Sequence, residues 1–224
     1  IEPRYRDDAP RVVEQPDGSD AFVIKDMRRP VGLGLIDGAG FTPSDRARRI
    51  PRLKAKDVRA CGYDGKARAP YMDRDGVAAE VVYASVGMAL CMHKDPDYKA
   101  ACMKAYNRWL ETFCGSLPGR LFGLAQTPVR SVDDAIEDFR AAKAQGFVGM
   151  MMPGHPVTEE DYDHPSYDAL WECAVDLELP ICFHILTSRE GSLFAKHRGH
   201  PINNFLGIIR AVQDVVGLMV LGGV

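Results

Sequence analysis

From Gly76 onward, short apolar runs alternate with longer stretches in which apolar residues recur every three or four positions. The runs lie at 79–84, 121–127, 147–152, 181–186 and 218–221. They are nearly continuous in apolar character rather than alternating, the pattern of parallel strands covered on both faces. Strand, helix, strand repeated in this way implies parallel pairing through crossover helices. Two α/β architectures satisfy that pattern: a β/α barrel and an open doubly wound sheet. No G-x-G-x-x-G follows any of the runs, which counts against the dinucleotide-binding form of the open sheet. The barrel is favoured. A closed one needs eight strands and typically about 250 residues, so five strands predict a partial (β/α)8 TIM barrel.

The intervening stretches support helices. Tyr98, Cys102, Tyr106, Trp109, Phe113 and Leu117 mark one apolar face. A second helix opens at Ser131 with Asp134 three residues on, a capping-box-like start. Its expected core face is Val132, Ala135, Ile136, Phe139 and Ala142, and Gly146 ends it. A third starts at Pro165 and should bury Leu170, Trp171, Ala174 and Val175. A last helix is expected over 203–216.

The first seventy residues differ, being rich in Arg, Asp, Pro and Gly. Extended stretches at 11–15 and 21–25 flank Pro16-Asp17-Gly18, which predicts a hairpin. Loops are expected from there to about Tyr63, with one short helix at 44–50. Residues 1–70 therefore read as an irregular segment with a hairpin, and 71–224 as the partial barrel, within one domain. With 46% hydrophobic residues in 224, a sizeable core is expected. The net charge of −3, with no basic run, argues against nucleic-acid or membrane-surface partners. No apolar run has the length of a membrane span. The six cysteines form no C-x-x-C pair, and free thiols in a reducing cytosol are expected. The chain begins at Ile1 rather than Met and ends just after an apolar run, so it is expected to be an internal piece of a longer protein.

In a β/α barrel the C-terminal ends of the strands form the active face. His184 ends the fourth run, and a polar ring there costs desolvation unless it is hydrogen-bonded or bound to something. By itself it reads as a satisfied core histidine. His155 follows the third run, and His197 and His200 follow the fourth; each is a candidate substrate contact, with turn or loop chemistry as the plain alternative. His164 reads as a helix-start residue and His93 as loop packing. Asp73 and Asp75 precede the first run, at the opposite end from the chemistry, so they read as helix-end or turn residues. Cys182 shares a strand face with His184 and reads as core packing rather than as a nucleophile. Ser85 lacks the G-x-S-x-G elbow of a serine hydrolase.

Several segments in order resemble one known family. They are Met72-Asp73-Arg74-Asp75-Gly76-Val77, Glu80-Val81-Val82-Tyr83 before Ser85-Val86-Gly87, and Tyr106-Asn107-Arg108-Trp109-Leu110. They continue with Arg120-Leu121-Phe122-Gly123-Leu124-Ala125, Gly146-Phe147-Val148-Gly149-Met150, and Tyr167-Asp168-Ala169-Leu170-Trp171 leading into Leu179-Pro180-Ile181-Cys182-Phe183-His184. Over residues 67–190 the chain is similar to the amidohydrolase-related family of metal-dependent hydrolases and decarboxylases, which includes aminocarboxymuconate-semialdehyde decarboxylase.

The resemblance implies strand numbers: the five runs become strands 2 to 6. The family carries a His-x-His pair on strand 1, a metal-binding His on strand 5 and an Asp on strand 8. His184 then falls on the metal-ligand position, and the other ligands have no counterpart within 1–224. It further implies a divalent metal, zinc by expectation, and a small carboxylated or carbonyl-bearing substrate, with hydrolysis and decarboxylation both open. A cytoplasmic enzyme, with homo-oligomers possible, is the resulting expectation. The alternative is a non-catalytic barrel fragment or pseudoenzyme with a structural or association role.

Overall fold

The Pro16-Asp17-Gly18 signal closes the hairpin that the sequence predicts. Strands β1 (Arg11–Glu14) and β2 (Asp20–Val23) pair antiparallel, with Arg11 opposite Val23 and Glu14 opposite Asp20. The turn is held by Asp17 Oδ1, which accepts from the Ser19 N–H at 3.0 Å. A short third strand, β3 (Val31–Gly32), pairs antiparallel with β2. The computed structural model describes residues 1–27, 29–33, 42, 44, 53–188 and 202–224. Of the helix expected over 44–50, all but residue 44 falls outside these residues.

The chain divides into two compact units, one of residues 1–81 and 112–122, the other of 82–111 and 123–224. In the first, helix α1 (Gly65–Asp75) follows an N-cap at Asp64, whose side chain accepts from Lys66 and Ala67 N–H groups. Sequence periodicity predicts no helix here, because the segment is mostly polar and carries an interior Pro70, which removes a backbone donor. Asp73 and Asp75 lie in its last turn, as helix-end residues. Arg120 binds this region together: its guanidinium reaches Asp73 at 2.5 Å, Ala78 O at 3.0 Å and Val77 O at 2.8 Å. Arg68 and Glu80 form a second ion pair.

Strands β4 (Glu80–Val82), β5 (Leu121–Gln126), β6 (Gly149–Met152) and β7 (Ile181–Phe183) form one sheet in that order. Pairing is parallel for β5 with β6 and for β6 with β7. This is a partial β/α barrel. The inner strands are the covered ones: Met150, Met151 and Met152 are fully buried, whereas β4 and β7 at the sheet's ends are half-buried or exposed. Gly149 is where β6 passes closest to its neighbours. A Cβ there would lie 2.8 Å from Pro180 O and 2.9 Å from Leu124 Cδ2.

Helices fill the crossovers: α2 (Gly87–Leu90), α3 (Pro96–Gly115), α4 (Val132–Ala144) and α5 (Asp168–Asp176). Ser131 Oγ caps α4 by accepting from the Asp134 N–H at 3.1 Å, and Gly146 at φ 83° follows its end. Ala135, Phe139 and Ala142 face the core as expected; Val132 and Ile136 are half-buried. Two apolar residues do not face inward. Trp109 is 41% exposed, its place on α3 taken by Leu110, and Val175 is 75% exposed beside buried Ala174.

The clearest correction concerns 218–221, expected as a sixth strand. Helix α6 (Ile202–Gly222) runs through it. Ala211 and Val215 are buried four apart, and Leu218, three further on, is half-buried on the same face. A four-residue apolar run has no period of its own, so helix and strand readings of it are degenerate.

Candidate active site

The C-terminal ends of β4, β5 and β7 carry the polar residues that matter. His184 immediately follows β7 and is half-buried. Its Nδ1 lies 2.7 Å from Ile185 O. A carbonyl only accepts, so Nδ1 carries the proton and donates. The lone pair is then on Nε2, the tautomer that a metal-binding imidazole needs. The turn beyond is held by Thr187 Oγ1, which donates to His184 O at 2.7 Å. Leu186 adopts φ 67°, a left-handed conformation that a branched side chain rarely takes and that concentrates at functional sites.

Tyr83, the residue directly after β4, lies against this ring. The centroids of Tyr83 and His184 are 5.8 Å apart at 49°. The nearby Cys182 thiol, with partial burial, raises the phenol above its ordinary range. Cys182 and His184, two positions apart, share a strand face by the alternation of side chains. Tyr83 is a site residue that sequence reasoning misses. The one available signal is its place directly after a strand.

At the end of β5, Gln126 is fully buried. The Asn107 amide grips its backbone from both sides, donating to Gln126 O and accepting from Gln126 N–H, each at 2.9 Å. Gln126 Nε2 donates to Gly87 O at 3.0 Å. Lys99 Nζ, also buried, donates to Cys91 O at 3.0 Å. Burial lowers the Lys99 ammonium and pushes the Cys91 thiol up to about 12. These groups fix the segment after β4 through short polar bonds.

His155 is half-buried after β6, where Gly154 N–H donates to Thr187 O at 3.2 Å and ties that loop to the turn after β7. His197 and His200 lie outside the described residues. His93 is buried with its ring 4.5 Å from Tyr98. His164 Nδ1 accepts from the Ser166 N–H at 3.2 Å, a helix-start role. Among the described residues no three His, Cys, Asp or Glu side chains converge on a metal-sized site. The donor chemistry that fits a metal here is the single Nε2 of His184. All six cysteines are free thiols, and no described helix is long and apolar enough to cross a membrane.

Residues 46–214 match the family model described as amidohydrolase. No curated protein matches the sequence. Among solved structures, an amidohydrolase from Mycobacterium avium subsp. paratuberculosis aligns over 100% of this chain and 63% of its own, with TM-score 0.73 and 18% identity. A 2,6-dihydroxybenzoate decarboxylase from Rhizobium aligns over 84% and 58%, with TM-score 0.52 and 19% identity. A 5-carboxyvanillate decarboxylase from Novosphingobium aromaticivorans, solved with bound manganese, aligns over 68% and 42%, with TM-score 0.50 and 19% identity. The chain thus spans less than two thirds of the length of these proteins.

Proposed function

The chain belongs to the amidohydrolase family, and from that premise we propose that it forms part of a metal-dependent hydrolase or decarboxylase acting on a small carboxylated or carbonyl-bearing molecule. One observation carries this reading: the imidazole at the end of β7 has Nδ1 committed to Ile185 O, so Nε2 is presented as a ligand. His184 is assigned as a metal ligand. A divalent ion bound there supplies Lewis acidity and lowers the pKa of bound water. The imidazole donor suits zinc; manganese, bound by the Novosphingobium decarboxylase, is the competing choice.

The chain's own residues supply position. The Ile185 carbonyl fixes the ring's tautomer, Thr187 holds the turn, and the Asn107 amide fixes the end of β5. His155, His197 and His200 are proposed to contact the substrate. The decarboxylases among the structural neighbours favour an aromatic carboxylate over other carbonyl substrates. Six free thiols fit a reducing compartment, and the cytoplasm is proposed on that ground.

Elemental analysis and turnover of the intact protein test the assignment. His184→Ala is expected to lose bound metal and to lower kcat/KM by at least about 100-fold, since removing a ligand costs more than removing its outer-shell partner. Release of carbon dioxide from an aromatic acid separates decarboxylation from hydrolysis. Full metal occupancy in His184→Ala overturns the ligand assignment. An intact protein that never holds metal favours the non-catalytic barrel.

A further inference from the structure

We propose that Thr187 is a positioning residue that acts through His184: its hydroxyl sets, before any metal arrives, which ring nitrogen is left free to bind one. This rests on the reading of His184 as a metal ligand given above.

Residues 184–187 close on themselves. Thr187 Oγ1 donates to His184 O at 2.7 Å, and Ile185 O accepts from His184 Nδ1 at 2.7 Å. Between these bonds Leu186 sits at φ 67°. A residue other than glycine stays in that region only where its surroundings impose it. Thr187 is fully buried, so its hydroxyl has no water as an alternative partner and stays on the His184 carbonyl. The turn tied in this way aims the Ile185 carbonyl at Nδ1. The Thr187 hydroxyl thus fixes the proton on Nδ1 without touching the ring, and Nε2 keeps its lone pair.

The turn is braced from the loop after β6. The Gly154 N–H donates to Thr187 O at 3.2 Å, so the backbone of Thr187 is held from outside the turn as well as from within it. The two segments are in close contact: a Cβ on Gly154 would lie 2.8 Å from Ser188 Oγ and 3.3 Å from Thr187 Oγ1. The bracing loop is itself anchored. Tyr162 Oη donates to Pro153 O at 3.0 Å, and the Val157 N–H donates to Val129 O at 3.3 Å. A ligand whose ring is oriented in advance loses less freedom when it binds, which is how such outer partners raise metal affinity.

Nitrogen–proton correlations of the imidazole rings report which nitrogen carries the proton. They are recorded on the intact protein stripped of metal, at about pH 8, above the ordinary imidazole range; His184→Asn identifies the signal. Wild type is expected to show His184 as the Nδ1–H tautomer with no metal present. Thr187→Val keeps the shape and removes the hydroxyl. Its His184 ring is expected to become a mixture of tautomers. Its affinity for zinc, in a chelator-buffered titration, is expected to fall about 10- to 100-fold, the usual loss for an outer partner of a metal ligand. Thr187→Ser restores the donor and is expected to restore both.

A metal-free wild type whose His184 is mixed or Nε2–H overturns the proposal, and no variant is needed to see it. An unchanged tautomer or an unchanged zinc affinity in Thr187→Val also overturns it, whatever that variant's melting temperature, because the hydroxyl is then only structural. So does a Thr187→Ser variant that restores neither. The metal reading fails separately, through a His184→Ala variant that keeps its metal, whereas the tautomer is read with no metal in the protein.

Discussion

Burial of one carboxylate gives the molecule a pH-dependent element that is independent of the site. Asp138 on α4 is half-buried, and Thr127 Oγ1 donates to its Oδ2 at 2.8 Å. Desolvation raises its pKa, outweighing the lowering by Thr127, Lys104 and Arg130; Asp134 adds to the rise. A carboxyl raised on folding binds protons more tightly in the native state. Its contribution therefore favours folding below its ordinary value near 3.8 and is lost as pH rises through the higher folded value. Asp138→Asn keeps an acceptor for Thr127 and removes the charge. The melting-temperature advantage of the variant over wild type is expected to grow from pH 4 to pH 7. A gap that shrinks over that range contradicts the burial argument. At this scale the sequence is a partial guide. His184 draws notice through the family resemblance alone, because by itself a lone imidazole in an apolar strand reads as a satisfied core histidine. Tyr83 is not, because its meaning lies in a contact with a residue a hundred positions later.

Elements are legible to the extent that their periods are long. Ser131, Ala135, Phe139, Ala142 and Gly146 specify α4 from cap to stop, and the structure reproduces each. Helix α1 is hidden by Pro70 and a polar surface, and the helical state of 218–221 by the run being only four residues long. Two glycines probe these assignments in opposite directions. Gly149→Ala places a methyl group 2.8 Å from the Pro180 carbonyl that leads into β7. Backbone cannot yield as a flexible side chain can, so a loss of about 1–3 kcal/mol is expected, read as a lower denaturant midpoint. Gly217 sits inside α6 with nothing within 4 Å of an added Cβ. Gly217→Ala is expected to gain about 0.5–1 kcal/mol by helix propensity. The gain requires that the helix continue through 217; a turn leading into a strand at 218–221 would predict none.

Scale alone makes the molecule's edges matter. The chain spans 63% of the Mycobacterium protein it resembles in fold, and among the described residues the parallel sheet ends at β4 and β7. An end strand presents backbone donors and acceptors on one side, which invites pairing with another chain unless charge or cover prevents it. On β4 the outward residue is Val81, 53% exposed, which is poor protection. The end of α6 adds an apolar surface, with Val216 at 48%, Val220 at 71% and Leu221 at 90% exposed. Such surfaces mark association sites or aggregation hazards. Size-exclusion chromatography of the 224-residue chain is therefore expected to show species well above its 24.7 kDa mass. Replacing Val220 and Leu221 with Glu separates the two causes. If the helix end drives association, the double variant shifts to the monomer position; if the sheet ends do, the elution stays unchanged and Val81→Lys moves it instead. A wild-type chain that elutes as a stable monomer at low and high concentration contradicts both, and means that the edge backbone of β4 and β7 is satisfied within a single chain.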